Sequence, residues 1–353
     1  MRNTTEQCIR IGEVEGENLI ELSVSKVKTW AGCQQKYHYK YNEELRPRRK
    51  AVPLRRGSWV HDCLQARDEG RNWVKLIQQK KADEYDKLFA EEKVELGDLP
   101  VEVFRMMRAY HQTYLEVDKA YQTIRCEQDF MIRIPNTNFV ITGRIDKIAL
   151  HIESGKIWVF EHKTMAKGIP VEDFRTTDIQ TAVYSWVMDQ IVSQLGDYTK
   201  DMIGGVMFDY IRTKPPTIPS TLKNGQLSQA KIDCDRWTYL ACIKKAELDP
   251  SDYEEFLKRL DENMFFRRIP MAKSPAMIKL VMRNMVNVGI QIEALGRKCI
   301  VRNLNWTCDR PKCEYRDLCI AELQGADTES LIKIQFERGF EDSGKIVEDE
   351  SDN

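Results

Sequence analysis

An aspartate, a glutamate and a lysine stand in this chain in a pattern that could hydrolyse a phosphodiester. Asp146 lies in FVITGRIDKIAL, and Glu161 and Lys163 follow in KIWVFEHK. In an extended strand, alternation places Ile157, Val159, Glu161 and Lys163 on one face and Trp158, Phe160 and His162 on the other. A hairpin can bring Asp146 opposite Glu161. Carboxylates of this kind hold Mg2+ through one or two oxygens and leave water in its shell. The metal lowers the pKa of that water and offsets charge building at phosphorus. Lys163 is then placed to position the attacking water or to stabilise the developing charge. An E-x-K triplet alone reads as an exposed strand-end pair; the G-x-x-D setting of Asp146 adds to it. Gln180 and Tyr184, four residues apart, share a helix face with Val187 and Ile191. They fit a partly buried face with a polar end, or a pair offered to nucleic acid beside the carboxylates.

A second constellation is made of thiols. Cys308, Cys313 and Cys319 pack into TCDRPKCEYRDLC, a C-x4-C-x5-C spacing. In a reducing compartment, close cysteines read first as metal ligands. Full coordination usually needs a fourth thiolate. Cys33, in WAGCQQKYHYKY, is the best candidate for it. Closing Cys33 onto 308–319 would staple distant parts of the chain. Zinc and an iron–sulfur cluster both remain open on spacing alone. Cys8, Cys63, Cys126, Cys234, Cys242 and Cys299 show no ligand spacing.

The elements that must position these residues change type along the chain. Residues 1–22 read as a loose lead or a short strand. Residues 23–41 read as helix, turn, helix, and 46–56, RPRRKAVPLRR, as a basic loop. Helices are expected over 57–68, 71–95 and 100–121. Period-2 patterning predicts strands over 124–134, 139–150, 156–163 and 203–212, with PNTN as a turn and a helix over 177–195. A Pro-rich loop follows, and 228–298 reads as mostly helical. The expected organisation is a lead (1–22), a helical part with Cys33 and His61 (23–123), an α/β core (124–213), a loop and helical part (214–299), a cysteine segment (300–324) and an acidic tail (325–353), in one domain overall.

Composition bounds the function. The 353 residues include 42% hydrophobic and 31% charged, enough apolar matter for a core and too little for a disordered chain. The 54 basic and 55 acidic residues exclude a globally basic nucleic-acid binder. The last 13 residues hold six acids and one Lys, so the body before them is mildly basic. No apolar run is long enough for a membrane span. The opening lacks a long apolar stretch, so no secretory signal is expected and a cytoplasmic location is. There is no G-x-x-x-x-G-K-[ST], hence no P-loop motor.

Taken together the motifs resemble the PD-(D/E)XK superfamily, in its RecB-type branch with an iron–sulfur staple. That branch includes the AddB nuclease domain, CRISPR-associated RecB-like exonucleases and phage exonucleases. The resemblance runs from about residue 23 to 323. SVSKVKTWAGCQQKYHYKY resembles the S-x-S start with its first cysteine, and RGSWVH resembles G-x-x-x-H. GRIDKIAL with VFEHKT resembles the G-x-[IV]-D and [DE]-x-K-T pair, and IQTAVYSWV resembles Q-x-x-x-Y. CDRPKCEYRDLC resembles the C-terminal cysteine triad, with C-x4-C where C-x2-C is common.

The resemblance implies an α/β fold with a mixed central sheet, wrapped by helices from both ends of the chain and closed by the cysteine cluster. It implies that His61, Asp146, Glu161 and the His162 backbone carbonyl bind Mg2+ or Mn2+, with Lys163 catalytic. Gln180 and Tyr184 would support DNA engagement, and Cys33, Cys308, Cys313 and Cys319 would hold a 4Fe–4S cluster. The implied substrate is DNA, single-stranded or at ends, in recombination, repair or phage DNA processing, with no membrane partner. With no P-loop, the enzyme would act alone or beside a separate helicase or single-strand annealing protein. The basic loop fits this: Arg46, Arg48, Arg49, Lys50, Arg55 and Arg56 could neutralise phosphates. Trp30, Tyr37, Tyr39 and Tyr41 could stack on bases or form a core face. Other readings are a nuclease trimming CRISPR spacer precursors, a non-catalytic DNA-binding scaffold, and a zinc-stabilised interaction protein.

Overall fold

A computed structural model describes residues 8–16, 18–49, 52–165, 169, 178–230, 232–261, 265–296, 300–309 and 313–339. In chain order the elements begin β1 (Ile9–Ile11), β2 (Ile20–Leu22), α1 (Val24–Gly32), α2 (Gln34–Tyr37), β3 (Leu45–Pro47), α3 (Val52–Asp68), α4 (Trp73–Lys80), α5 (Ala90–Leu96) and α6 (Leu99–Tyr114). Then come β4 (Tyr121–Arg133), β5 (Phe139–His151), β6 (Lys156–Met165), α7 (Ile179–Ile191) and β7 (Ile203–Arg212). The chain continues through α8 (Arg236–Lys245), α9 (Glu254–Leu260), β8 (Phe266–Met271) and α10 (Pro275–Leu295). It closes with α11 (Arg316–Leu323), α12 (Thr328–Gln335) and β9 (Phe336–Arg338).

The result is a mixed α/β fold around a seven-stranded sheet of order β1-β4-β5-β6-β7-β8, with β2 also on β5. β4, β5 and β6 form an antiparallel meander, β6 and β7 run parallel, and β7 and β8 antiparallel. Asn136 turns the β4–β5 corner at a φ of 60°, a left-handed conformation that Asn tolerates. The parallel step from β6 to β7 requires a crossover, which α7 supplies. That helix buries Thr181, Ala182, Val183, Tyr184, Val187, Met188 and Ile191, because the sheet lies on one side and α10 on the other. Each fully buried Val or Ile there is worth about 1.5–3 kcal/mol. A second core, Trp59, Leu64, Val103, Met107 and Tyr110 among others, joins α3, α4 and α6 to Ile211 of β7.

The sheet is interrupted where chemistry is expected. On one edge of β5, β6 pairs with Lys147–His151 and β2 pairs with Phe139–Ile141. Between them residues 142–146 have no strand neighbour on that edge among the described residues, and Thr142, Gly143, Arg144 and Asp146 face a cavity instead.

Several expectations change. The 46–56 loop is a short strand, β3, followed by the first turn of α3 from Val52, since Pro53 is compatible with a helix start. The helix expected over 71–95 breaks between Tyr85 and Ala90, and the one over 100–121 ends at Tyr114. Residues 228–298 contain a strand, β8, whose FRRIPM sequence hides an edge strand behind two arginines and a proline. The lead contains two strands of the main sheet. Trp30, Tyr37 and Tyr39 are buried, so they cannot stack on bases.

Candidate active site

Asp146 and Glu161 come together through the β5–β6 ladder. Lys147 pairs with Phe160, which places Asp146 next to the following residues of β6. The Asp146 carboxylate accepts the His162 backbone N–H at 2.8 Å. Glu161 and Lys163 lie on one face as alternation predicts, and the lysine donates to Glu161 Oε1. The same Oε1 accepts from Gln180 Nε2 at 2.8 Å. Glu161 Oε2 is buried and has no hydrogen-bond partner. A buried carboxylate oxygen without a donor is costly unless a cation meets it.

Gln180 and Tyr184 have a structural task beside any role toward DNA. Gln180 also donates to the Tyr184 hydroxyl at 3.1 Å, and that hydroxyl donates to the Arg144 carbonyl at 2.8 Å. This carbonyl lies in the stretch of β5 that lacks a strand neighbour. The chain Glu161–Gln180–Tyr184–Arg144 therefore ties α7 across the gap in the sheet. Asp178 caps α7 by accepting from the Gln180 N–H at 2.9 Å, and Lys28 of α1 reaches the same carboxylate at 2.9 Å.

His61 arrives on α3. Gly57 lets that helix press against β6, since a Cβ there would lie 3.1 Å from Thr164 Oγ1. His61 Nδ1 then stands 3.8 Å from Asp146 Oδ2. Glu127 of β4 completes the group: ligand atoms of His61, Glu127 and Asp146 lie within 4.8 Å of one another. Glu127 was not singled out from the sequence. The signal was present, because Gln128 pairs with Ile145 and Cys126 with Lys147, so Glu127 falls opposite Asp146. Its φ of 47° is a left-handed conformation rare for Glu, a strain that marks functional positions.

The electrostatics suit cation binding. Burial and then the neighbouring His162 push the His61 imidazole down to about 4, so it is neutral and able to ligate near neutral pH. Burial and Asp146 push Glu127 up to about 8. Burial also raises Asp146 and Glu161, the latter further through Asp146. Three carboxylates crowded without a counter-cation resist ionising together.

Behind β6 lies a layer not foreseen. The His162 side chain points away from Glu161, and its Nδ1 meets Asp209 Oδ2 of β7 at 2.9 Å. Asp209 also accepts from the Tyr110 hydroxyl and lies 3.5 Å from Arg268. Arg268 and Arg67 both bind Asp118, Arg67 binds Asp68 at 3.1 Å, and Lys147 binds Asp68 at 3.1 Å. Burial opposes the charge on Asp209, but Arg268 and the hydrogen bond from His162 outweigh it and hold its carboxyl at about 2. Burial likewise opposes protonated His162, and Asp209 outweighs it, so the imidazole is raised above its ordinary value.

The thiols and the basic residues are placed differently. Cys33, Cys308, Cys313 and Cys319 line one cavity of about 330 Å³ with Tyr39 and Arg302. The thiols are not at single-ion spacing: the convergent group within 4.8 Å among the described residues is the His61 one. Cys33 sits at the break between α1 and α2, and β3 pairs antiparallel with β9, which closes the two chain ends around this cavity. Of the basic residues, Arg55 lies 3.6 Å from Glu92 and Arg56 lies 2.5 Å from Glu102, so they are not free charges. Arg46 lies in β3, Arg48 and Arg49 are exposed just beyond it, and Lys50 lies outside the described residues.

A mixed sheet carrying a D…E-x-K constellation at an interrupted edge defines a nuclease-like α/β fold. The PD-(D/E)XK nuclease superfamily profile matches residues 21–320, and the chain belongs to that superfamily. No curated protein sequence matches. Among solved structures, a protein from Eubacterium rectale, named as a candidate exonuclease, is similar at 15% identity. The match covers 87% of this chain and 94% of that one, with a TM-score of 0.45. A protein named SSO0001 is similar at 11% identity over 86% and 89%, with a TM-score of 0.29. No helix among the described residues is long and apolar enough to cross a membrane.

Proposed function

We propose that this protein is a metal-dependent DNA exonuclease of the RecB-like type, working in recombination, repair or phage DNA processing. The observation that carries the reading is Glu161: one oxygen is held by Lys163 and Gln180, and the other is buried with no hydrogen-bond partner. His61, Glu127, Asp146 and Glu161 would hold Mg2+ or Mn2+, and the His162 main chain is already tied to Asp146. When bound, the ion supplies Lewis-acid charge and an acidic water at the scissile phosphate. Lys163 provides a fixed positive charge beside Glu161, suited to orient the nucleophile and stabilise the developing oxyanion. Gln180, itself bonded to Tyr184, holds the Glu161 carboxylate in place, and Asp146, Lys163, Gln180 and Tyr184 line one cavity of about 480 Å³.

The four cysteines fit an iron–sulfur cluster better than zinc. Tetrahedral zinc with Zn–S bonds of about 2.3 Å draws sulfurs to roughly 3.8 Å of one another. These thiols stand around a void instead. A 4Fe–4S cluster there would clamp the α1–α2 break to the segment around α11, a structural role.

The test is a nuclease assay on 5′- and 3′-labelled single- and double-stranded DNA, comparing wild type with Lys163→Ala in Mg2+, Mn2+ or EDTA. The expected result is metal-dependent degradation by wild type and none by the variant. Cluster-loaded wild type that is inert on every substrate sinks the reading.

A further inference from the structure

We propose that the groove between α6 and α8 is a second anion site, a contact for the phosphate backbone of the nucleic acid away from the catalytic cavity. The inference rests on the nuclease reading for its choice of ligand. Among the described residues α6 turns Val103, Met106, Met107, Tyr110 and Tyr114 into the core. Its other side presents Arg105 and Arg108 to a groove of about 700 Å³. Across the groove α8 presents Trp237, Lys244 and Lys245. No Asp or Glu lines it, and it shares no lining residue with the cavity that holds Asp146 and Lys163.

Several basic side chains elsewhere are held in ion pairs. Arg56, Lys80 and Arg212 each have a carboxylate at 2.7 Å or less. Arg108, Lys244 and Lys245 are exposed and have no ion-pair partner among the described residues. Arg105 donates to the Pro216 carbonyl, which fixes the Pro-rich loop at the rim and keeps one guanidinium beside the groove. Lys244 and Lys245 in the last turn of α8 offset that helix's dipole. The dipole does not account for the two arginines of α6 facing them. Like charges gathered around one groove repel, and an anion removes that cost. Trp237 is 44% exposed there, a flat apolar surface suited to stacking on a base. Cations with an unpartnered indole match a nucleic-acid backbone better than a small anion.

The test compares Arg108→Ala/Lys244→Ala/Lys245→Ala with the parent in full-length protein, both also carrying Lys163→Ala so that DNA is bound and not cut. A long labelled single strand and a dinucleotide are titrated over a range of salt. The triple variant should bind the long strand about 10-fold or more weaker at low salt, with the slope of log K against log salt reduced by roughly 2. Dinucleotide affinity should not change. Replacing Arg108 by Lys and both lysines by Arg should restore the slope, which separates charge from folding. Unchanged affinity and slope for the long strand overturn the proposal. With Lys163 intact, wild type that cuts no DNA while the triple substitution weakens DNA binding would sink the nuclease reading and leave the groove standing.

Discussion

The imidazole of His162 and the carboxylate of Asp209 meet at 2.9 Å behind the strand whose other face carries Glu161 and Lys163. The segment that carries the E-x-K groups is thus anchored from behind by a buried ion pair. Asp209 is fully buried, so removing its charge leaves the His162 imidazole without its partner and Arg268 with Asp118 alone. Asp209→Asn should cost about 3–5 kcal/mol, read by urea melts.

The pair also sets a pH window. His162 is raised above its ordinary value, so its stabilisation is complete below about 6.5 and is lost as pH rises through the raised value. Asp209 is depressed to about 2, so its stabilisation is present above the ordinary carboxylate value and lost as pH falls toward 2. Melts of wild type and Asp209→Asn should therefore differ most between roughly pH 4 and 6.5. Equal differences across the whole range would contradict the pairing.

Cation uptake should release protons. Glu127 is pushed up to about 8, and Asp146 and Glu161 are also raised, so the metal-free site holds protons that a divalent ion displaces. His61, down at about 4, contributes none near neutrality. Apparent Mg2+ affinity should climb with pH up to about 8. Calorimetry in buffers of different ionisation enthalpy measures the proton count, and Glu127→Gln should lower both affinity and count.

Gln180→Leu and Tyr184→Phe probe positioning. Each removes two of the three hydrogen bonds between Glu161 and the Arg144 carbonyl. The expected cost is about 1 kcal/mol in stability for Tyr184→Phe and a larger one for Gln180→Leu, which leaves Glu161 with one donor fewer. Metal affinity should fall and DNA affinity should hold. Loss of DNA affinity with normal metal binding would return both residues to direct substrate contact.

Protein prepared without oxygen should carry iron and sulfide and absorb broadly at the blue edge of the visible. Cys313→Ser should lower the melting temperature and abolish that absorbance. Zinc in place of iron would assign the cavity otherwise.

The strand that carries Glu161 and Lys163 was legible because it alternates cleanly: Ile157, Val159, Glu161 and Lys163 share one face by period alone. Asp209 and Lys147 were not, since a lone charge in an apolar strand does not reveal its partner. Those partners lie on α3, α6, β6 or β8, whose placement is tertiary. Glu127 was within reach: counting outward from the PNTN turn pairs it with Asp146, but only if the hairpin register holds without a bulge at that point. β8 was hidden because Arg267, Arg268 and Pro270 break the apolar pattern, and Arg268 is charged for the sake of Asp118 and Asp209.

The pairing of Leu45 with Arg338 has a consequence for the order of events during synthesis. β3 leaves the ribosome almost three hundred residues before β9, which at about 5–20 residues per second is a delay of roughly 15–60 s. The last strand of the main sheet, β8, is complete at Met271, before Cys308, Cys313 and Cys319 are made. The main sheet can therefore assemble first, and the cysteine cavity closes after it.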